Sequence, residues 1–167
     1  MNHDKLSKSI VKYRDTVFRV ALGYVHNIHD ADDISQNVFM KLYSLNKEFI
    51  TDEAEKAWLI RVAINEAKDL LRSAWFKNRD DCFDESLISP AYNAPELYDY
   101  VKKLKPKYRT VIYLHYYEGY STKEISKIMK LPQSTVTTHL SRARKQLKQN
   151  IEEEEGEKNY GKLQGFI

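Results

Sequence analysis

The sequence predicts an all-α protein of two small helical domains joined by a flexible linker, the second domain carrying a helix-turn-helix. Three observations support this. The 167 residues include only 5 Gly and 4 Pro, so turn signals are few. Apolar residues recur at helical spacing in two separate stretches. An acidic stretch without a sustained apolar period lies between them. The predicted boundaries are 5–78 for the first domain, 79–95 for the linker, 96–151 for the second domain and 152–167 for a disordered acidic tail.

Charge is distributed unevenly along the chain. The net charge is only +3, yet residues 102–151 hold 12 basic and 2 acidic side chains, a local charge of +10. Residues 79–101 hold 1 basic and 6 acidic side chains. A block this basic is typical of a surface that meets a polyanion. The alternative is a solvated basic face without a partner.

Three helices are expected in the first domain. The first is followed by a break at residues 26–29, and Asp30 is the predicted N-cap of the second helix. A polar loop is expected over 46–56, and a third helix from near Ala54 to about Phe76. The predicted core positions of the three helices are Ile10, Val17, Val20, Ala21, Leu22, Val25, Ile34, Val38, Phe39, Leu42, Leu59, Ala63, Ala67 and Leu70.

The second domain carries the pattern of a helix-turn-helix. A helix over 106–118 is predicted to end at Gly119, and a capping box, Ser121 to Glu124, opens a short helix. A turn at 130–132 leads into a long final helix. In this motif the second helix places its N-terminal half in the major groove of DNA. The expected inward positions are Ile125, Ile128, Met129, Val136, Leu140, Ala143 and Leu147.

Two helix faces are candidate DNA-binding surfaces. Hydroxyl groups can bond base edges, and Arg and Lys neutralise phosphates. The outward face of the final helix carries Ser134, Thr137, Thr138, Ser141 and Lys145, flanked by Arg142 and Arg144. Trp58 lies at the start of the third helix, and spacing by 4, 3 and 4 puts Arg61, Asn65, Lys68 and Arg72 on one face of it. Taken singly, each face is also typical of an ordinary solvated helix surface.

The order of three motifs resembles a known family. Residues 30–42 (DADDISQNVFMKL) and 57–65 (AWLIRVAIN), followed by DLLR at 69–72, resemble region two of bacterial sigma factors. Residues 104–125 and 134–144 resemble region four. The resemblance covers nearly all the chain, with only the acidic linker between the two regions. The chain is therefore similar to the extracytoplasmic-function (ECF) subgroup of the sigma-70-like family.

The resemblance implies an alternative sigma factor that binds core RNA polymerase and directs promoter-specific transcription initiation. Region two would sit on the β′ subunit and open the minus-ten element, and region four would sit on the β subunit and bind the minus-thirty-five element. The loop 46–56 would hold an unstacked base. The implied polymerase-binding residues are Asp33, Gln36, Asn37 and Lys41. Those for minus-ten DNA are Trp58, Arg61, Asn65, Lys68 and Arg72. Those for minus-thirty-five DNA are Ser134, Thr135, Thr137, Thr138, Ser141, Arg142, Arg144 and Lys145.

The chain departs from the family at three places. Asn37 stands where relatives usually have Glu, and Thr137-Thr138-His139 stands where many have Lys or Arg. The loop has no Gly, and its acidic residues are Glu48, Asp52, Glu53 and Glu55.

Other functions are not expected. The sequence offers no nucleophile–base pair, so we expect no enzyme, and we expect no cofactor. One cysteine, Cys82, excludes a cysteine-based metal site, and the cluster His26, His29, Asp30, Asp32 and Asp33 is interpreted as helix-capping, not metal-binding. With no apolar membrane segment, we expect a cytoplasmic protein without direct membrane insertion.

The family also implies an anti-sigma partner. The alternative function is a stand-alone helix-turn-helix regulator that binds operators as a dimer.

Overall fold

The computed structural model describes residues 3–25, 27–45, 48–75 and 95–155, and these ranges contain helices and no strand. The all-α prediction is confirmed. The chain divides into two compact units, Met1–Leu87 (unit 1) and Ile88–Ile167 (unit 2). Almost all of the predicted linker lies outside the described residues. The helices are α1 (His3–Val25), α2 (Ile28–Ser44), α3 (Asp52–Trp75), α4 (Pro95–Lys102), α5 (Pro106–Ile112), a π-helical turn (Tyr113–Tyr117), α6 (Thr122–Met129) and α7 (Gln133–Glu155).

Unit 1 is a three-helix bundle in which each helix packs on the other two. The predicted apolar stripes are buried, except that Ile10 and Leu70 are only half-buried. Tyr13, Ile60 and Ile64 are also buried, although the predicted stripes did not contain them. The core is therefore wider than single-face periodicity indicates, because a helix between two neighbours buries more than one stripe.

Two helix starts in unit 1 differ from the prediction. Asp30 is not the N-cap of α2: the cap is Asn27, whose Oδ1 accepts a hydrogen bond from the Asp30 backbone N at 3.1 Å. Asp30 instead lies in the first turn, where its charge is favourable. Thr51 Oγ1 accepts from the Ala54 backbone N at 3.1 Å, so α3 begins at Asp52 and the loop is shorter than expected.

Unit 2 contains a helix that the sequence reading did not predict. The short α4 is followed by a turn, and the buried Arg109 closes this turn. Arg109 Nη1 donates to the backbone oxygens of Lys102 and Leu104, both at 2.7 Å. A guanidinium group thus satisfies carbonyl groups at the end of a helix, where no intrahelical donor remains.

The helix expected over 106–118 is not a single α-helix. Its last part winds as a π-helical turn, which the Glu118 backbone N closes by donating to Tyr113 O at 3.1 Å. Tyr113 Oη also donates to Glu118 Oε1 at 2.7 Å. Gly119 follows with φ +77°, a left-handed conformation that suits glycine and ends the helix as predicted.

The helix-turn-helix has the predicted form. Ser121 and Glu124 make a reciprocal capping box, and the C-cap of α6 is Lys130, which has φ 52°. The expected inward residues of α6 and α7 are buried. Helix α7 continues through Glu155, so the first four residues of the predicted tail are helical.

Candidate nucleic-acid interfaces

One exposed face of α7 gathers most of the residues expected to meet the minus-thirty-five element. This face lies opposite the buried Val136, Leu140 and Ala143. An α-helix brings residues three or four apart onto one side, which explains why a local pattern in the sequence becomes a continuous surface. The exposed members are Ser134, Thr137, Thr138, Ser141, Arg142 and Lys145, while Thr135 is half-buried.

The two threonines on this face have their hydroxyl protons engaged within the helix. Thr137 Oγ1 donates to Gln133 O at 3.0 Å, and Thr138 Oγ1 donates to Ser134 O at 2.9 Å. Each hydroxyl oxygen can still accept a hydrogen bond. Towards DNA, these side chains therefore offer acceptors and methyl groups, which suit exocyclic amines and the thymine methyl.

Arg144 is placed differently from the other basic residues of α7. It is half-buried, and its Nε donates to Tyr116 Oη at 2.5 Å. Its guanidinium carbon lies 5.5 Å from the centroid of the Tyr116 ring. The Tyr116 ring in turn meets His115 edge-on, with the centroids 4.8 Å apart. Arg144 therefore links α7, the second helix of the helix-turn-helix, to the π-helical turn.

His139 is a half-buried residue of α7 that the sequence reading treated only as a departure from the family. Its ring meets Tyr108 edge-on, with the centroids 5.6 Å apart. Within the described part of the chain, its buried Nδ1 has no hydrogen-bond partner. Burial lowers the pKa of His139, and the nearby charges of Lys107 and Arg142 lower it further. The neutral imidazole is thus the form that the fold favours.

The polar stripe of α3 is assembled as expected but is not uniformly exposed. Asn65 and Arg72 are exposed, whereas Arg61 and Lys68 are half-buried. Arg61 Nε is buried and has no hydrogen-bond partner among the residues that the structure describes. Arg72 Nη1 lies 3.5 Å from Asp69 Oδ1 on the same helix. The Trp58 ring at the head of the stripe is tilted against Phe49, with the centroids 5.6 Å apart.

Acidic residues just before α3 and in its first turn meet side chains of α1. Lys5 Nζ lies 3.1 Å from Glu48 Oε1, and Lys12 Nζ lies 2.5 Å from Asp52 Oδ2. Ser9 Oγ donates to the buried Glu55 Oε1 at 2.5 Å. The hydrogen bond to Asp52, followed by that to Tyr13, raises the pKa of Lys12.

The exposed face of α2 carries the residues expected to meet the polymerase. Asp33, Gln36 and Asn37 are exposed, and Lys41 forms an ion pair with Glu66 of α3. Two large apolar side chains that were not among the predicted polymerase-binding residues lie on the same surface of α2. Met40 is 67% exposed and Tyr43 is 52% exposed. Exposed apolar groups beside polar ones are typical of a protein-binding surface.

The described residues contain neither a cluster of metal-ligating side chains nor a membrane-spanning helix. No group of three or more His, Cys, Asp or Glu in ranges 3–25, 27–45, 48–75 and 95–155 could hold a metal ion. His26 of the cluster considered above, and Cys82, lie outside those ranges. No helix in the same ranges is long and apolar enough to cross a membrane.

Comparison with known proteins assigns each unit separately. The family model described as Sigma-70 region 2 matches residues 10–77, and that described as Sigma-70, region 4 matches residues 95–147. The chain is 27% identical to the ECF RNA polymerase sigma factor SigW of Bacillus subtilis, over 90% of each chain. It is 30% identical to SigM of the same organism, over 81% of this chain and 88% of the relative.

Solved structures show the same fold. The sigma factor RpoE of Bartonella quintana, in complex with the anti-sigma factor NepR, matches with a TM-score of 0.71 and 22% identity, over 89% of this chain and 97% of that one. CnrH, in complex with the cytosolic domain of CnrY, matches with a TM-score of 0.66 and 21% identity, over 92% and 91%. The two family regions occur in the order that the motifs predicted, and the chain belongs to the ECF sigma factors, the alternative sigma factors that direct transcription initiation.

Proposed function

We propose that this chain binds core RNA polymerase through its β′ and β subunits and directs it to promoters that it reads at two elements. Unit 1 opens the minus-ten element, and unit 2 binds the minus-thirty-five element as duplex. One observation carries this proposal. Each sigma region of the chain presents a polar stripe, at least partly exposed, on the helix to which the family resemblance assigns DNA contact.

In unit 2, we assign direct DNA contact to the exposed face of α7. Ser134, Thr135, Thr137, Thr138 and Ser141 would face base edges, and Arg142 and Lys145 would face phosphates. Because Thr137 and Thr138 use their protons within the helix, we expect them to accept hydrogen bonds from bases or to pack against thymine methyl groups. Arg144 would act by holding α7 on Tyr116, since its guanidinium is engaged there.

In unit 1, the proposal uses two helices. On α3, Trp58 would pack near an unstacked base, while Arg61, Asn65, Lys68 and Arg72 would follow the backbone of the minus-ten DNA. An aromatic surface suits this role because any base can stack on it. On α2, Asp33, Gln36, Asn37 and Lys41 would face the β′ subunit, and the exposed Met40 and Tyr43 would add apolar contact.

The proposal assigns no catalysis to this chain, because the polymerase supplies the chemistry of RNA synthesis. It places the chain in the cytoplasm with the polymerase, without direct membrane insertion. It also includes an anti-sigma partner that keeps the two units from the polymerase. One solved relative supports this partner, because RpoE of Bartonella quintana forms a complex with the anti-sigma factor NepR.

Run-off transcription with purified core RNA polymerase tests the proposal. The templates are a library of upstream DNA from the source genome, transcribed with and without the chain. We expect new transcripts that start at defined sites and share two upstream elements. Arg61→Ala should reduce transcription through the minus-ten element, and Arg142→Ala should weaken protection of the minus-thirty-five element. Arg14→Ala, an exposed change on α1, is the matched control.

The same protein and DNA distinguish a sigma factor from the alternative function, a stand-alone helix-turn-helix regulator. It would leave the transcripts unchanged and give a symmetric footprint on operator DNA without polymerase. That result would reject the sigma-factor assignment of both units.

A further inference from the structure

One stripe of α1 holds residues 48–55, which comprise the end of the loop and the first turn of α3. Lys5, Ser9 and Lys12 follow at intervals of four and three residues, which puts them on one side of the helix. Each of them contacts a different carboxylate of residues 48–55. The contacts are Lys5–Glu48 at 3.1 Å, Ser9–Glu55 at 2.5 Å and Lys12–Asp52 at 2.5 Å.

These contacts bracket three residues of the loop. Glu48 precedes Phe49, Ile50 and Thr51, and Asp52 follows them. Ile50 is 98% exposed, so it projects from a segment that α1 holds at both ends. Tyr13 adds a second contact at one end, because its Oη donates to the Asp52 backbone O at 3.1 Å. The Phe49 ring packs on Trp58, the residue assigned above to the unstacked base.

The basic residues of this stripe also reduce the negative charge of residues 48–55. A segment with several carboxylates would repel the negatively charged backbone of a nearby DNA strand. Repulsion between exposed charges extends over about 8–10 Å at physiological salt. An ammonium group beside Glu48 and another beside Asp52 offset two of the four carboxylate charges of residues 48–55. The acidic loop, a departure from the family pattern, is thus matched by basic residues elsewhere in the same unit.

We propose that Lys5, Ser9 and Lys12 are positioning residues for promoter opening, which hold and neutralise the segment 48–55 so that Phe49, Ile50 and Trp58 can meet the non-template strand. The proposal rests on the function proposed above for unit 1. It assigns to α1 a role in DNA melting, although α1 itself carries none of the residues assigned to DNA. Recognition of duplex DNA by unit 2 does not depend on this stripe.

A charge exchange in the holoenzyme tests the proposal. Lys12→Glu places two negative groups side by side, Asp52→Lys places two positive groups side by side, and the double variant restores an ion pair with reversed direction. Lys8→Glu makes the same change of charge at an exposed position of the same helix and serves as the control. Lys12→Arg keeps the positive charge and should rescue opening.

Three measurements separate positioning from folding. Core affinity is measured by titration, closed-complex formation by footprinting at low temperature, and opening by permanganate reactivity of minus-ten thymines. We expect Lys12→Glu to reduce the open fraction about three- to fivefold, the effect of one exposed ion pair. Core affinity and the footprint should stay at the level of the unmodified chain. The double variant should recover most of the open fraction.

Each other outcome has a defined meaning. If Lys8→Glu reduces opening as much as Lys12→Glu, or the double variant recovers nothing, the positioning role is rejected. If core affinity falls together with opening, the contacts only maintain the fold, and the positioning role is likewise rejected. If the unmodified chain itself gives no promoter-specific transcript, the function proposed for unit 1 fails before its positioning is at issue.

Discussion

The two units use their charges in different ways. In unit 1, several basic side chains at or beside the candidate interfaces are paired within the unit, as in Lys12–Asp52, Lys41–Glu66 and Arg72–Asp69. In unit 2, Arg142 and Lys145 are exposed on α7, within a stretch that holds 12 basic and 2 acidic side chains. Unit 2 therefore suits the uniform charge of duplex DNA. Unit 1 suits a role in which shape and stacking contribute more than net charge.

The largest expected effect is a loss of stability in unit 2 that leaves the stability of unit 1 unchanged. Arg109→Ala removes the buried donor to Lys102 O and Leu104 O. We expect the free energy of unfolding of unit 2 to fall by about 3 kcal/mol, because two buried carbonyls lose a charged partner. Hydrogen exchange in α5–α7 and in α1–α3 measures the two units separately. Lys123→Ala, an exposed change on α6, should leave both rates unchanged. Equal acceleration in the two units would contradict independent folding.

A smaller effect is expected on the salt dependence of promoter binding, which tests the difference in charge between the two units. Lys145→Ala should weaken holoenzyme binding to promoter duplex and reduce the slope of log affinity against log salt by about 0.9, the effect of one phosphate contact. Lys8→Gln, an exposed change on α1 of unit 1 at a residue not assigned to DNA, should leave that slope unchanged. Fluorescence anisotropy from low to moderate salt measures both. An unchanged slope for Lys145→Ala would remove this residue from the phosphate contacts.

The smallest effect concerns the pH dependence of unit 2. Burial, together with Lys107 and Arg142, lowers the pKa of His139, and Tyr108 packs against its ring. The contribution of neutral His139 to the stability of unit 2 is therefore fully present above the ordinary histidine pKa of about 6.5. It is lost as the pH falls through the lowered pKa of the folded state. Between pH 8 and pH 5.5, the free energy of unfolding of unit 2 should fall more in the unmodified chain than in His139→Gln. Urea unfolding measures this, and equal pH dependence in the two proteins would contradict it.

Local sequence patterns predicted most of the helices but not the contacts between them. Stripes such as Val136, Leu140 and Ala143, and the Ser121–Glu124 capping box, depend on residues a few positions apart. The Asn27 cap was missed because Asp30, three residues later, offers the same chemistry. The π-helical turn was missed because its sequence continues a helical pattern, and Gly119 marks only its end.

Local patterns also predicted some features of the candidate interfaces and not others. The exposed face of α7 follows from helical spacing, and the sequence alone was sufficient to outline it. The engagement of Arg144 joins residues 28 positions apart, and the Lys12–Asp52 pair joins residues 40 positions apart. No periodicity reports such contacts, because they depend on how the helices pack. The same reason explains why the acidic loop was interpreted as a departure from the family, when α1 carries its partners.

The π-helical turn at Tyr113–Tyr117 has a consequence for insertions and deletions in this domain. A π-helical turn accommodates one residue more than an α-helical turn, and removing one residue rotates the side chains beyond it by about 100°. Deleting a single residue here would therefore change the direction of Tyr116, which bonds Arg144 of α7. In this protein, the position of α7, the helix proposed to read DNA, depends on the residue count of a segment that carries none of the residues assigned to DNA.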